Sequence, residues 1–489
     1  MDSQLLEILS LSYYDLPSPL KSCFLYFGIF PEDSSILDER LYGLWIAEGF
    51  IEARGNRTLE EVAEAYLNEL IQRNLVTFQL VVGEGKVCGV HDLMHEVILS
   101  RADKVCLCQT WDENESRFRG AGRRLRISGS NENVLKNVGA STLRSVFVWD
   151  IYDELIEIES FVVTLFKRFK LLEVMDFQRV PLNTLPKEVG NLFLLKYLSL
   201  KETNVKVLPK SIRNLQKLQT LDIRDTLIRE LPAEINELRN LRHLLAYKYN
   251  YSIVEGVRMH EGFGNLENLQ TLTTFEAHPG GVGLVKELGL LRKLRWLDVS
   301  KISSETWRGV CASVTNMDHL QRFSVIAKDT NEVLDLLHIS SPPHLRELVV
   351  VGRLQNFQDM IPLFRNLRGL TLKSSWLSDD PCKCLKELPN LEILRLSHKA
   401  YVGEELHFEK GGFEKLKQLQ LYSLEKLKRI EIDGGALPAL EKLVLYACPL
   451  LEEYRYCTPN KIDISLDISK YFHLWLQHPV KSNANTKNT

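Results

Sequence analysis

The feature that most constrains the fold of this chain is a leucine pattern that recurs at a nearly constant distance. Four segments in register, LEVMDF, LKYLSL, LQTLDI and LRHLLA, begin 23 residues apart, at Leu172, Leu195, Leu218 and Leu241. Leu-Pro pairs keep the same step and end at Pro186, Pro209 and Pro232. The L-x-x-L-x-L frame continues with steps of 22 to 28 residues at Leu269, Leu294, Leu320, Leu345, Leu367, Leu391, Leu416 and Leu440. An earlier copy begins at Leu143 and a capping strand is expected around Leu125, which gives twelve clear units and up to fourteen.

Such a period is typical of leucine-rich repeats, whose units run to roughly 20 to 29 residues. In each short strand alternate side chains point inward, and one unit alone cannot bury its leucines. Stacked units share a continuous apolar core and line one face with parallel strands. The sequence therefore predicts an α/β chain in which residues 109–460 form a leucine-rich-repeat solenoid, a horseshoe with a concave strand face.

The first hundred residues are not repetitive and predict three helices followed by a hairpin. An apolar stripe follows a cap at Ser18, a second helix begins at Asp38, and Thr58 and Glu61 form a capping box at the start of the third. The alternating segment LVTFQLVV, the turn GEGK and the segment VCGV then indicate a β-hairpin. These are the parts of a winged helix, which we assign to residues 1–108.

The charge pattern argues against nucleic acid as a partner. Winged helices that bind DNA use a basic helix, because phosphate neutralisation supplies much of the affinity. Here the third helix carries Glu60, Glu61, Glu64 and Glu69 against Arg73, and the formal net charge of the chain is −3. We therefore predict a scaffold role for this domain. The longest apolar run, CFLYFGIF, is too short to span a bilayer, so no transmembrane segment is expected.

The stretch VHDLMHEV holds His91 and His95 at a spacing that can bind zinc on a helix. It is similar to the H-E-x-x-H metalloprotease pattern, with Asp92 in place of the glutamate. Asp92 also stands where an N-cap belongs, which would leave His91 outside the helix and separate the two rings. We therefore predict no metal site and no catalytic residue. Two alternatives stay open for His91: contact with an anion at the helix terminus, or a surface histidine beside a cap.

Outward positions on the predicted repeat strands supply the candidate partner-binding residues. They flank the second and third leucines of each unit, and the aromatic and charged ones are Tyr197, Asp222, Arg224, Tyr247, Phe275, Trp296, Arg395, Tyr422 and Tyr446. Aromatic residues and arginines on an exposed face are typical of protein-binding hot spots. A single ring is better explained by packing on a neighbouring strand, but the set together favours recognition of another protein.

Four ordered segments resemble a known family. The segments LSYYDLPSPLKSCFLYFGIFPED, LYGLWIAEGFIE, YLNELIQRNLV and VHDLMHEV, followed by leucine-rich repeats, are similar to plant intracellular immune receptors. These are the coiled-coil class of nucleotide-binding leucine-rich-repeat disease resistance proteins. CFLYFGIFPED looks like their fourth conserved nucleotide-domain motif, and VHD looks like their Met-His-Asp motif, with Val90 in place of methionine. The resemblance extends to about residue 455.

The resemblance implies a pathogen-sensing switch rather than an enzyme. In the family the winged-helix domain holds ADP in the resting state, which would give His91 a contact to the β-phosphate and Asp92 the ordering of the helix start. The repeats restrain the switch and bind a pathogen effector or a guarded host protein. Release leads to ADP/ATP exchange, oligomerisation and hypersensitive cell death. The expected location is the cytoplasm, including the inner face of the plasma membrane.

Other family segments are not found in this sequence and are expected upstream of Met1, among them the coiled coil and the P-loop. The turn GEGK is not a P-loop, because Lys86 is followed by Val87. We therefore expect no cofactor bound by this chain alone, with ADP/ATP in the full-length family, and a missing upstream nucleotide-binding region as a partner. The alternative function is a stand-alone adaptor or decoy that binds protein without switching. A C-terminal cap and disordered tail is predicted for 461–489.

Overall fold

Helices and a hairpin form the start of the chain in the computed structural model. The helices are α1 (Ser18–Leu25), continued by a 3-10 turn at Tyr26–Ile29, then α2 (Asp38–Ala47), α3 (Leu59–Gln72) and α4 (Asp92–Lys104). Strand β3 (Gly85–Gly89) pairs antiparallel with β1 (Ile36–Leu37) on one side and with β2 (Thr77–Val81) on the other. Three helices, a hairpin of β2 and β3 after the third, and the short strand β1 beside it confirm the predicted winged helix.

The structure describes residues 10–81, 85–104, 107–112, 122–128, 135, 142–149, 158–250, 253–277, 281–330, 332–339, 342–456 and 463–466. The chain divides into a first unit, Met1–Thr274, and a second unit, Phe275–Thr489. This division cuts the repeats, and the domain boundary between 108 and 109 stays a prediction. Apart from the strand Asp463–Leu466, the predicted cap and tail at 461–489 lie outside the described residues.

The capping box of α3 is present as predicted. The Glu61 amide donates to Thr58 Oγ1 at 3.3 Å, and the Thr58 amide donates to Glu61 Oε2 at 2.9 Å. These two bonds satisfy amides that a helix start leaves without a partner in the helix. The caps of α1 and α2 are Pro17 and Leu37, one residue before those assigned from the sequence.

The strands of the first unit follow the leucine frame. They lie parallel in the order β4 (Gln109–Asp112), β5 (Arg124–Ser128), β6 (Ser145–Trp149), β7 (Val174–Asp176), β8 (Tyr197–Ser199), β9 (Thr220–Asp222), β10 (His243–Leu245) and β13 (Thr271–Glu276). From β6 onward each strand begins two residues after its frame leucine, and that leucine is buried. Helix α5 (Ile158–Arg168), the hairpin β11 (Lys248–Asn250) and β12 (Ile253–Glu255), and a 3-10 turn at Phe263–Asn265 lie between these strands in sequence.

The Leu-Pro pairs shape the return segment of the regular units. Pro186, Pro209 and Pro232 each precede a 3-10 turn, at Lys187–Asn191, Lys210–Asn214 and Ala233–Glu237. Proline suits the start of a helical turn, because its φ is already close to the helical value and the amide it lacks would have no partner there. A constant return segment keeps the 23-residue step, which brings Tyr197, Thr220 and His243 side by side.

The second unit continues the same construction. Its strands lie parallel in the order β14 (Trp296–Ile302), β15 (Arg322–Ala327), β17 (Glu347–Val351), β19 (Gly369–Lys373), β20 (Ile393–Ser397), β22 (Gln418–Tyr422), β24 (Lys442–Tyr446) and β26 (Asp463–Leu466). Smaller parallel sheets pair β16 (Val333–Asp335) with β18 (Arg353–Gln355), and β21 (Glu405–Phe408) with β23 (Arg429–Ile432) and β25 (Glu453–Tyr456). The helices are α6 (Val282–Leu288), α7 (Ser304–Val314), α8 (Phe357–Met360) and α9 (Cys382–Leu385), with 3-10 turns at Leu336–His338 and Ile361–Phe364.

Inward leucines carry the core of these strands, such as Leu394 and Leu396 of β20, which have no exposed surface. In the main parallel series of each unit, the frame leucines predict every strand from β6 to β24. The predicted leucine-rich-repeat solenoid is confirmed. No helix in the described part of the chain is both long enough and apolar enough to cross a membrane.

Candidate functional site at the strand face of the first unit

The outward side chains of β6 to β8 pack against the winged helix. The Phe147 ring of β6 makes edge contacts with Tyr26 and Phe30, at centroid distances of 6.2 and 6.3 Å. The Tyr197 ring of β8 is 2% exposed and lies against Gly43 of α2. A Cβ atom added to Gly43 would come within 3.1 Å of that ring, so glycine permits this close approach. One apolar core therefore extends from the winged helix onto the strand face.

A buried ion pair lies at the centre of this contact. The Arg40 guanidinium of α2 donates to Asp176 Oδ2 of β7 from Nε at 3.1 Å and from Nη2 at 2.7 Å. The guanidinium also lies 5.3 Å from the ring centre of Phe30 and 5.2 Å from that of Trp149. Burial lowers the pKa of Arg40, but Asp176, together with Tyr197 and Asp222, outweighs this effect and the pKa is raised. Because each charge has lost its water, removing either partner would leave the other buried and unpaired.

A second charged group lies two strands further along the first unit, at β9. Arg224, which follows β9, donates to both carboxylate oxygens of Asp222, at 3.0 and 2.7 Å. Glu39 of α2 lies 3.5 Å from the same guanidinium. Burial raises the pKa of Asp222, but Arg224 together with Lys201 more than offsets this and the pKa is lowered. The Asp222–Arg224 pair is therefore an ordered, ionised surface on which the acidic end of α2 rests.

The first turn of α3 makes the third contact. Glu60 accepts from Arg242 at 2.8 Å and lies 2.9 Å from Nε2 of His243, whose Nδ1 lies 3.0 Å from Thr271 Oγ1. Burial would raise the pKa of Glu60, but the hydrogen bond and charge of His243, together with Arg242, lower it to about 2. The acidic first turn of α3 thus pairs with the Arg242 guanidinium and the His243 ring of the repeats.

The fourth contact is made by the C-terminal end of α2. Glu48 accepts from Arg124 of β5 and from the Ser145 hydroxyl of β6, both at 2.6 Å. The Tyr26 hydroxyl donates to the same carboxylate at 3.1 Å. Together the four contacts cover the outward side of β5 to β10 with complementary charge and shape, and we call this side of the strands the covered face. It can hold the winged helix in one position, and it can be released by a change that removes either side.

Comparison with known proteins identifies the family. A family model described as the disease resistance protein winged helix domain matches residues 29–98, and one described as a leucine-rich repeat region matches residues 143–470. Disease resistance protein RPM1 of Arabidopsis thaliana is 33% identical over 460 residues, which are 91% of this chain and 48% of the relative. This chain belongs to the plant disease resistance proteins of the nucleotide-binding, leucine-rich-repeat type.

Other resistance proteins give the same match. Disease resistance RPP8-like protein 3 of Arabidopsis thaliana is 30% identical over 464 residues, covering 91% of this chain and 50% of the relative. The chain spans about half the length of the curated relatives it matches. Among solved structures, the functional domain of InlJ from Listeria monocytogenes is 15% identical, with a TM-score of 0.43 and coverage of 66% of this chain and 63% of that chain.

The histidine motif of this resistance protein differs in detail from the sequence assignment. His91, not Asp92, caps α4: the His91 carbonyl accepts the amides of Met94 and His95, and its Nδ1 accepts the Leu93 amide at 3.4 Å. Asp92 is the first helical residue, and both His91 and Asp92 are exposed. The His95 ring is buried, with Nε2 3.1 Å from the Phe30 carbonyl oxygen. Among the described residues no cluster of three or more His, Cys, Asp or Glu side chains could hold a metal ion.

The structure corrects the predicted exposure of four of the candidate partner-binding residues. Tyr197, Asp222 and Arg224 are buried, because the winged helix covers the face on which they lie. Phe275 is buried for a local reason: Thr274 has a φ of 54°, which interrupts the alternation of β13 and turns the next side chain inward. These residues do not offer a free surface to a second protein.

The remaining predicted partner-binding residues keep some exposure. Tyr247 is partly buried beside Arg224, and Trp296 lies under the Arg322 guanidinium at 4.2 Å from the ring centre. Arg395, Tyr422 and Tyr446 lie on neighbouring strands of the second unit, and Tyr446 is 52% exposed. Their role in binding stays a prediction.

The sequence assignment missed the winged-helix side of the covered face, including Arg40, Glu48 and Glu60. One signal was available. The third helix is acidic along its length, and the outward positions of two successive frames hold Arg242 and His243 next to Gln219 and Thr220. An acidic helix in a chain with basic outward strand positions is compatible with intramolecular pairing as well as with repulsion of DNA.

Proposed function

We propose that this chain is the recognition and restraining part of a plant immune receptor. The observation that carries this proposal is the covered face, where Arg40 and Asp176 form a buried pair between the winged helix and the repeats. A family of switch proteins needs a contact that holds the winged helix in one state and that can be lost in another. The covered face has the properties of such a contact, because its charges are stable only while both sides are present.

The repeats supply recognition in this proposal. Their outward strand positions in the second unit are where a pathogen effector or a guarded host protein would bind. Family membership supports a location in the cytoplasm, including the plasma membrane surface, and a receptor role without catalysis. A partner that binds the repeats more tightly in the released state would then shift the equilibrium from the restrained state toward the released state.

In this proposal only the complete receptor, with its upstream nucleotide-binding region, binds ADP or ATP. His91 is exposed at the start of the 13-residue helix α4, and its ring could contact a phosphate. The first-turn amides of Leu93, Met94 and His95 are already bonded to His91, and the Asp92 carboxylate would repel an anion. These residues therefore fit one contact to ADP rather than a whole site, and the other contacts would come from the upstream nucleotide-binding region.

The test is charge reversal in leaf tissue. Joined to an upstream nucleotide-binding segment and expressed in a leaf, Arg40→Glu should give cell death without a pathogen, because it places two carboxylates together at a buried position. Adding Asp176→Arg should restore the pair and silence the response. Arg73→Glu, at an exposed position on the end of α3, is the matched control. If all variants accumulate and none causes cell death, the chain is an adaptor or decoy that binds protein without switching.

A further inference from the structure

The outward face of four strands in the second unit carries positive charge without acidic residues. The outward positions of β19, β20, β22 and β24 alternate with the buried leucines and include Lys373, Arg395 and Lys442. Their other members are Gly, Thr, Ile, Ser, Gln, Tyr and Val. Among the described residues, no carboxylate lies within salt-bridge distance of Arg395 or Lys442. Arg395 and Lys442 thus differ from Arg40, Arg224 and Arg242 at the covered face, which each lie beside a carboxylate.

Arg395 is held in place for a ligand. Its Nε donates to Gln420 Oε1 at 2.9 Å, and Gln420 has no exposed surface. The Gln420 amide donates to Gln418 Oε1 at 3.2 Å, and the Tyr422 hydroxyl lies 3.4 Å from Gln420 Oε1. One edge of the guanidinium is thus fixed by a chain of side-chain amides. A fixed guanidinium loses little entropy when its remaining N–H groups bind a carboxylate as a pair.

The surroundings of Arg395 disfavour its charge. Burial lowers the pKa of Arg395, and the neighbouring Arg322 adds to this effect although Glu347 opposes it. Glu347 is already 3.2 Å from Arg322. Burial also lowers the pKa of His398, and Lys373 lowers it further. A ligand that brings negative charge here would relieve these unfavourable interactions.

Aromatic rings continue the face beyond the cations. The Tyr422 and Tyr446 rings are 6.2 Å apart on adjacent strands, and Tyr446 is half exposed. Tyr422 is aligned across the sheet with Ser397 and Lys373. A partner that contacts Arg395 therefore reaches apolar ring surface within one or two strand spacings, which are about 4.8 Å each.

We propose that Lys373, Arg395, His398, Tyr422 and Tyr446 form the docking site for an acidic segment of a partner protein. A carboxylate of the segment binds Arg395, and a neighbouring apolar side chain packs on the tyrosine pair. The proposal rests on the proposed function, in which the repeats recognise a protein. Single-stranded RNA is a weaker fit, because it gains affinity from many phosphate contacts and this face offers few cations in a chain of net charge −3.

The experiment measures binding of three probes to the whole chain. They are a Glu-Tyr copolymer, a Lys-Tyr copolymer and oligouridylate, each tested at low and at high salt. We expect the Glu-Tyr copolymer alone to bind. Arg395→Gln should weaken it by about tenfold or more, and Tyr446→Ala by several-fold, because buried arginine and tyrosine contacts dominate interfaces. Lys428→Gln, which makes the same charge change beside β23, should have little effect.

Three results would overturn the proposal: no binding of the Glu-Tyr copolymer, equal binding by wild type and Arg395→Gln, or binding of oligouridylate that depends on Arg395. Thermal unfolding of each variant shows that it remains folded. Failure here is separable from failure of the proposed function, since the Arg40 and Asp176 variants in leaf tissue do not involve these residues. Cell death from Arg40→Glu together with copolymer binding insensitive to Arg395→Gln would retain the switch and reject this docking site.

Discussion

Replacing Glu60 by glutamine tests whether the start of α3 is bound electrostatically to the repeats. Glutamine keeps the size of the side chain and one oxygen acceptor, but it removes the charge that faces Arg242 and His243. Glu60→Gln should therefore destabilise the first unit. The loss should come from the contact between α3 and the repeats and not from the helix itself, because the capping box of Thr58 and Glu61 is untouched.

The magnitude follows from the pKa of Glu60. The folded chain lowers this pKa from 4.5 to about 2. At about 1.4 kcal/mol per pH unit, the lowered pKa corresponds to about 3 kcal/mol in favour of the ionised folded state at neutral pH. The side chain is 21% exposed, so solvent screens the contact only in part. We expect Glu60→Gln to lower the free energy of unfolding by about 2 to 3 kcal/mol at pH 7.

The sign of the pH dependence provides a second measurement. Because the folded pKa lies below the unfolded one, ionised Glu60 stabilises the fold fully above pH 4.5. This contribution is lost as the pH falls from 4.5 to about 2. Urea unfolding followed by circular dichroism, for wild type and Glu60→Gln, should therefore give curves that differ most near pH 7 and converge toward pH 2.

The control is Glu64→Gln, one turn further along α3. Glu64 is exposed and lies 3.6 Å from Lys86 of the hairpin, so its loss should cost well under 1 kcal/mol. The reasoning is refuted if Glu60→Gln costs no more than Glu64→Gln at pH 7, or if the difference between wild type and Glu60→Gln is the same at every pH.

Two further changes address the apolar and ionic parts of the covered face. Arg40→Met should lower the free energy of unfolding in urea by about 3 to 5 kcal/mol, because Asp176 is left buried without its partner Arg40. The double variant Arg40→Met with Asp176→Leu should recover most of this loss. Equal losses in the single and double variants would show that the pair is not coupled. Gly43→Leu should lower the free energy of unfolding by about 1 to 3 kcal/mol, because the larger side chain forces the Tyr197 ring from its position. Gly43→Ala should lower it less, since the ring needs to move only slightly. An unchanged thermal midpoint in Gly43→Leu would show that α2 does not pack on β8.

The repeats could be predicted from sequence because their information is local and periodic. In the two main parallel series, each strand from β6 to β24 begins two residues after a frame leucine, and burial of that leucine follows from stacking alone. The exception, Phe275, shows the limit of this rule. A left-handed residue at Thr274 reverses which side chains face inward, and threonine carries no sequence signal for that conformation.

The covered face could not be predicted because its pairs are distant in sequence. Arg40 and Asp176 are 136 residues apart, and Glu60 and His243 are 183 apart. Each of these residues alone is an ordinary surface charge by type, and only the docking of α2 and α3 buries it. The prediction that Asp92 caps α4 was wrong for another reason. His91 and Asp92 are adjacent acceptors for the same helix start, and sequence reasoning separates such neighbours poorly.

The two strand faces therefore differ in a way that residue type alone conceals. Sequence alone predicts the same role for Arg224 and Arg395, since both are arginines at outward positions of the repeat frame. In the structure Arg224 has the carboxylate of Asp222 at 2.7 Å and Glu39 of α2 at 3.5 Å, so a further acid would gain little by binding it. Arg395 has only a neutral amide as its hydrogen-bond partner among the described residues, so an acid would gain the most there. The charge state of the partners, rather than exposure or residue type, decides which arginine is occupied within the chain and which is available to another molecule.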